Sequence, residues 1–263
     1  MTPDRFQTVL YALNDQVLRI TLNRPERRNA LNRQAYDELE AAFKAANADP
    51  EVRCVVITGA DPAFCSGEDV KEMMTGAHHP AVDGTRYEPT PAAMAVLDCE
   101  KPVIAAVNGA AMGWGMELAL FADIRIASDR AQFAELFVKR GLVSDVGGLL
   151  RLPALVGPSK AAELLFTGDV IDAAEAARIG LVSQVVPHAG LLLRAHGLAG
   201  RIAANPPLAV RKIKEGLRRT AYGDARESGA WAIAAIHGLF DTEDHREGVK
   251  SFLEKRDPVF TGR

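Results

Sequence analysis

Cysteine is scarce in this chain, and the three present, Cys54, Cys65 and Cys99, show no CxxC spacing. An odd count without paired spacing implies neither a disulfide framework nor a zinc site. The six histidines include no HxxxH pair, and His78 and His79 fall in a Pro/Gly-rich stretch where solvent-facing rings are expected; no metal is implied. Long apolar runs are missing too, since none approaches the ~18 residues of a membrane-crossing helix. The opening residues, MTPDRFQTVLYAL, lack the cationic-then-apolar layout of a secretory signal. The expectation is a cytoplasmic protein with no membrane partner. Positive charge is not in excess: a net charge of −3 argues against nucleic acid as the principal partner. The basic stretches at 24–28 and 211–219 read as a solvated loop and a solvated helix face.

Familiar phosphate and nucleophile motifs are absent as well. GWGMEL, at 113–118, fails the last glycine of a GxGxxG fingerprint. There is no GxxxxGK[ST] loop and no GxSxG elbow. Cys65 stands beside a Gly-rich bend without a histidine in the neighbouring motif, and reads as a small buried thiol rather than a nucleophile.

What is present is an ordinary globular composition. The 263 residues are 48% hydrophobic, enough for one large domain or one domain with an appendage. Strand patterns fall at 17–22, 52–58, 102–107, 123–127 and 183–186, and helical patterns at 29–46, 92–97, 113–122, 159–166 and 173–179. An apolar stretch at 133–138 precedes a second Gly-rich helix entry, GLVSDVGG, at 141–148. From about 191 to 252 the pattern is helical, interrupted at Asn205-Pro206-Pro207. Residues 77–91, rich in Gly, Pro and His, form a loop long enough for a lid or a specificity segment. The strand–helix units share a layout without a sequence repeat, and the class is α/β with a helical C-terminal region.

The chain is organised around residues 101–128, KPVIAAVNGAAMGWGMELALFADIRIAS. A buried strand ends at Asn108-Gly109, and small residues lead into a helix. Such a turn leaves unpaired N–H groups at the positive end of the helix dipole, able to hold an oxygen that becomes an anion. Glu117 follows one turn later, on the face of Trp114. An oxyanion donor beside a carboxylate is the minimum equipment for moving protons next to a carbonyl.

Together with LNRPERRNALN, VVITGADPAFCSGEDVKEM, GLVSDVGGLLRLPALVGPSKAAELLFTGDVIDAAEA and FLEKRDPVFTGR, this stretch resembles the crotonase (enoyl-CoA hydratase/isomerase) superfamily over nearly the whole chain. The resemblance implies a spiral of ββα units forming two roughly perpendicular sheets. The division expected is an acyl-CoA-binding core at 1–195 and a helical region at 196–263 that builds trimers or hexamers. It places the two oxyanion N–H donors at Glu68 and Trp114, the latter a position where most relatives carry glycine. The indole there either narrows the acyl pocket or packs under the helix. Arg28, Ser66, Phe252 and Lys255 are implied as coenzyme A contacts, the coenzyme being part of the substrate and no cofactor being bound permanently.

Hydratases of this family use two glutamates. Glu117 matches the first; the second position is Phe137, and Glu135 stands two residues earlier. Asp145 matches the acidic base of the family's double-bond isomerases, although an Asp ahead of a helix is also a good N-cap. The implied reaction is enolate formation on an enoyl-CoA thioester, with isomerisation ahead of hydration. A thioester hydrolase and a non-catalytic acyl-CoA binder are the alternatives.

Overall fold

Every residue of strands β3 (Cys54–Gly59) and β5 (Val103–Val107) is buried, as a parallel sheet covered on both faces requires. Alternate side chains part company. Val55, Ile57, Val103, Ala105 and Val107 enter the main core, whereas Cys54, Val56, Ile104 and Ala106 enter a second cluster on the opposite face. The computed structural model describes residues 2–73, 89–144, 147–220 and 242–263, apart from the side chains at 220, 249, 252 and 253. Asp145, most of the 77–91 loop and the Phe252 side chain therefore lie outside the described residues.

In the larger sheet, β1 (Val9–Asn14) and β2 (Val17–Leu22) form an antiparallel hairpin. Its turn uses positive φ at Asp15 and Gln16. Parallel pairing then runs from β2 through β3 and β5 to β7 (Ile124–Ser128) and β10 (Gln184–Val186). The smaller sheet orders β4 (Ala63–Cys65), β6 (Ala110–Met112), β8 (Gln132–Ala134) and β9 (Ile171–Asp172). Helices α1 (Arg33–Ala48), α2 (Val70–Met73), α3 (Pro91–Leu97) and α4 (Trp114–Phe121) precede β7. After β8 come α5 (Leu152–Val156), α6 (Pro158–Thr167) and α7 (Ala173–Arg178). The chain closes with α8 (Leu191–Ala203), α9 (Pro207–Thr220) and α10 (Glu243–Glu254).

The two sheets are linked by a repeated move. Each of β3, β5 and β7 leaves the larger sheet and, within a few residues, supplies β4, β6 or β8 to the smaller one. Successive corners stack, and side-chain amides stitch them. Asn29 Nδ2 donates to Ala60 O and Ala63 O, both at 2.7 Å. Asn108 Nδ2 donates to Asp61 Oδ1 at 3.0 Å and Ala63 O at 3.2 Å, while its carbonyl accepts from Ser128 Oγ at 2.8 Å. Gly109 is glycine because a β-carbon there would collide with Pro62 O. The expected spiral is thus found, and the Asn108-Gly109 break is one of its corners.

The apolar stretch at 133–138 divides between two elements: β8 ends at Ala134 and a 3₁₀ helix follows, Leu136–Arg140. The second Gly-rich turn enters a π-helical turn, Gly147–Arg151, before α5 begins. Strands β1, β6 and β9 carry no clear periodicity of their own; the last two are three and two residues long, too short for any period to register.

The second cluster lies beneath α8, whose Leu191, Ala195, Ala199 and Ala203 recur every four residues along one face. Three alanines let the helix axis approach the sheet closely. Lys214 on α9 reaches the starts of β5 and β7, paired with Asp123 at 2.6 Å and donating to Lys101 O at 2.6 Å.

Candidate active site

All eight residues of α4 are buried, and Glu117 is its one charged side chain. A carboxylate in such a helix is costly unless it is held by donors. Its Oε1 accepts from the Gly148 N–H at 3.0 Å, and its Oε2 lies where a β-carbon on Gly147 would otherwise be. The glycine pair of the second Gly-rich turn is there because Glu117 packs directly against it. Ser144 joins this group. A methyl on Gly148 would meet Ser144 Oγ at 2.6 Å and Glu117 Oε1 at 3.1 Å, and that hydroxyl is buried without a hydrogen-bond partner among the described residues.

The start of α4 faces the turn that follows β4. Gly113, at φ 51°, opens the helix, and a β-carbon on it would meet nothing within 4 Å. Gly67, at φ 93°, brings the Ser66–Glu68 bend close: a β-carbon there would stand 2.8 Å from Met112 O and 3.6 Å from Trp114 N. Gly115 packs so tightly on Cys65 O that a side chain would collide with it. First-turn N–H groups of a helix have no intrahelical acceptor, so the Trp114 N–H stands at the positive end of α4. On the opposite side, Leu31 pairs with Glu68 as a parallel bridge, its N–H donating to Gly67 O and its carbonyl accepting from Asp69 N–H, both at 2.8 Å. That pattern uses the groups flanking residue 68 and turns the N–H of Glu68 away from Leu31.

Between these elements lies a cleft of about 190 Å³. Ser66, Gly67 and Glu68 form one wall, Gly113 and Trp114 its floor, and Leu136, Phe137, Arg140 and Leu142 the far side. Three residues named from the sequence, Ser66, Glu68 and Trp114, therefore meet at one cavity. Arg28 is exposed beside it, its carbonyl accepting from the Ser66 N–H at 3.1 Å. Lys255 is exposed beyond α10 and is not among the lining residues. Phe137 fills the wall where the hydratase pattern would put its second glutamate. Glu135 is buried at the start of the 3₁₀ helix and does not line the cleft.

The indole of Trp114 packs under the helix. It is 4% exposed and meets Tyr36 edge-to-face at 4.9 Å and Phe121 at 6.0 Å. Its Nε1 is buried with no hydrogen-bond partner among the described residues. The same residue lines the cleft. Burial pushes the Cys65 thiol up to about 12, which agrees with an inert core cysteine. Sequence reasoning missed Tyr36 and Ser144: the first reads as one more apolar position of α1, and the second has no motif of its own.

No group of three or more His, Cys, Asp or Glu suited to a metal exists among the described residues, and no described helix is long and apolar enough to cross a membrane. The profile of the enoyl-CoA hydratase/isomerase family matches residues 12–263. The chain is 39% identical to a probable enoyl-CoA hydratase of Mycobacterium bovis, over 98% of this chain and 99% of that one. A crotonyl-CoA hydratase of Syntrophomonas wolfei is 38% identical at the same coverage of both chains. The crystal structure of an enoyl-CoA hydratase from Bacillus anthracis superposes with a TM-score of 0.87 at 33% identity, over 98% of this chain and 100% of that one. Fold and whole-length similarity agree: the chain belongs to the enoyl-CoA hydratase/isomerase family of the crotonase superfamily.

Proposed function

We propose that the protein forms the enolate of an enoyl-CoA thioester and returns the proton at another carbon, moving the double bond in preference to adding water. The observation that carries this reading is the composition of the cleft: Glu68 and Trp114 in its lining, one buried carboxylate a helical turn behind, and Phe137 in place of a second acid. The thioester oxygen sits between the N–H groups of Glu68 and Trp114. As the oxygen gains charge, each donor supplies roughly 2.7–4 kcal/mol of transition-state stabilisation. A carboxylate removes the proton from C2 of a 3-enoyl group, and the dienolate is reprotonated at C4. One well-placed acid suffices for that transfer, whereas adding water takes an acid and a base together. Glu117 and Asp145 are the two carboxylates assigned to this work, on the strength of the resemblance for Asp145.

Coenzyme A is anionic and needs local positive charge despite the acidic total. Arg28 and the Ser66 backbone take the nucleotide side, with Phe252 and Lys255 contributed by the C-terminal segment. The homotrimer or pair of trimers proposed rests on the resemblance. The compartment proposed is the cytoplasm.

Hydration is the second reading, favoured by the names of the relatives. Purified protein is incubated with 2-enoyl-CoA and 3-enoyl-CoA of several chain lengths while free CoA thiol is followed separately. Conversion of 3-enoyl to 2-enoyl thioester is expected. Hydroxyacyl product from the 2-enoyl substrate would favour hydration, and thiol release alone would favour hydrolysis. No conversion by a folded protein would overturn the enzymatic reading. Asp145→Asn should lose turnover without losing CoA affinity, and full activity would return that residue to a capping role.

A further inference from the structure

The two residues assigned as oxyanion donors share a neighbour outside the cleft. Tyr36, on the fourth residue of α1, is 6% exposed and does not line the cavity. Its hydroxyl donates to Glu68 Oε1 at 3.0 Å. Its ring meets the Trp114 indole edge-to-face, with centroids 4.9 Å apart and planes at 79°. One side chain thus touches both halves of the oxyanion hole, the first by a hydrogen bond and the second by an aromatic edge.

The rest of that segment is anchored to the same bend. Leu31 bridges to Glu68, and Asn32 Nδ2 donates to Glu72 Oε2 at 3.0 Å. Arg24 pairs with Asp69 at 3.2 Å and with Glu72 at 3.1 Å. Asn32 also caps α1, accepting from the Ala35 N–H at 3.0 Å, which fixes where Tyr36 emerges from the helix. The bend and α1 are therefore tied together, and Tyr36 carries a contact from them to α4.

Given the proposed enolate chemistry, we propose that Tyr36 is a positioning residue that sets the separation of the Glu68 and Trp114 N–H groups. Oxyanion stabilisation depends on donors held at hydrogen-bond distance from the charged oxygen, and a shift near 1 Å is costly. An aromatic edge against a bulky indole gives a stiff contact where a glycine would give none. The Tyr36 hydroxyl fixes the other donor through its side chain. Trp114 and Tyr36 then act as a unit: the indole supplies the surface and the tyrosine supplies the link.

The test compares wild type with Tyr36→Phe, which keeps the ring and deletes the hydroxyl, and with Glu68→Ala and the double variant. Each is measured for kcat and KM on its enoyl-CoA substrate, for affinity to saturated butyryl-CoA, and for the absorbance of acetoacetyl-CoA enolate formed on the protein. Tyr36→Phe is expected to lower kcat by about tenfold to a hundredfold and to weaken the enolate signal, with butyryl-CoA affinity within about twofold. In the Glu68→Ala background the same substitution should add nothing further. Glu68→Gln, which retains a carbonyl acceptor, should recover most of the activity lost in Glu68→Ala. An unchanged kcat and enolate signal in Tyr36→Phe would overturn the proposal, as would independent, multiplying losses in the double variant. Wild type that neither turns over enoyl-CoA nor enolises acetoacetyl-CoA would instead overturn the functional reading beneath it. Circular dichroism and melting curves identify a variant that has lost its fold, in which case the Glu68→Gln and Glu68→Ala pair decides the matter.

Discussion

Among the described residues, Glu38 and Glu117 are both completely buried, and they do opposite things. Glu38 lies on α1 and closes a local knot. Its carboxylate accepts from the N–H groups of Gln7, Thr8 and Val9, from the Thr8 hydroxyl at 2.7 Å and from the Gln34 amide at 2.8 Å. Glu117 lies on α4, one turn behind the cleft, against two glycines that leave it room. Burial is the same for both, so burial does not mark the working residue. The surroundings do. Glu38 is clamped by residues 7–9 and does not line the cavity, whereas Glu117 shares a helix with the floor of the cavity.

The largest expected effects lie on the Glu117 side. Glu117→Gln keeps the shape and deletes the base; kcat should fall by about 10²–10⁴-fold on enoyl-CoA. The melting temperature should change little, because the amide carbonyl can still accept from the Gly148 N–H. Steady-state kinetics beside a melting curve separates the two quantities, and an active Glu117→Gln would remove the contrast altogether. Gly147→Ala probes the same carboxylate without touching it. The added methyl collides with Oε2, so Glu117 must shift or the π-helical turn must open. A loss of about 10²-fold in kcat, with about 1–3 kcal/mol of destabilisation from overpacking, is expected.

The sequence made one of these glutamates legible and hid the other, for physical reasons. Glu117 stands in a Gly-rich strand-to-helix junction, a local pattern that fits within a dozen residues. Glu38 reads as a polar position of an amphipathic helix, and its donors at residues 7–9 lie about 30 positions away in the chain. The larger sheet was legible for the same reason as Glu117: β2, β3, β5 and β7 are apolar runs with clear stops. The smaller sheet was not, since its strands run two or three residues and exist only by pairing with one another. The cleft is made at that sheet, so Ser66, Glu68 and Trp114 could be named from family motifs while Tyr36 and Ser144, joined to them only in space, could not. The corner asparagines show the intermediate case. Asn108 is visible as a strand stop, but its bonds to Asp61 and Ala63 appear only once the spiral has closed.

The smaller effects belong to Glu38, and they should spare catalysis. Glu38→Gln replaces one carboxylate oxygen with a donor that faces other donors, leaving backbone N–H groups buried without an acceptor. About 1–3 kcal/mol of stability is expected to go, at roughly 2–4 °C of melting temperature per kcal/mol for a chain of this size, with kcat of the folded enzyme unchanged. Acid refines this further. Burial alone would raise the Glu38 pKa, but hydrogen bonds from the Thr8 hydroxyl, the Gln7 N–H and the Gln34 amide outweigh it, and the group lies below its ordinary 4.5. A carboxylate depressed by folding adds stability that is complete above its unfolded pKa and is lost as pH falls through the folded one. Wild type should therefore shed this contribution only below pH 4.5, and Glu38→Gln, which has no proton to take up there, should lose less on acidification. Melting temperatures of the two proteins, followed from neutral pH to about pH 3, should converge in acid. Parallel curves would mean that the Glu38 knot holds by shape rather than by charge, and the contrast with Glu117 would then rest on position alone.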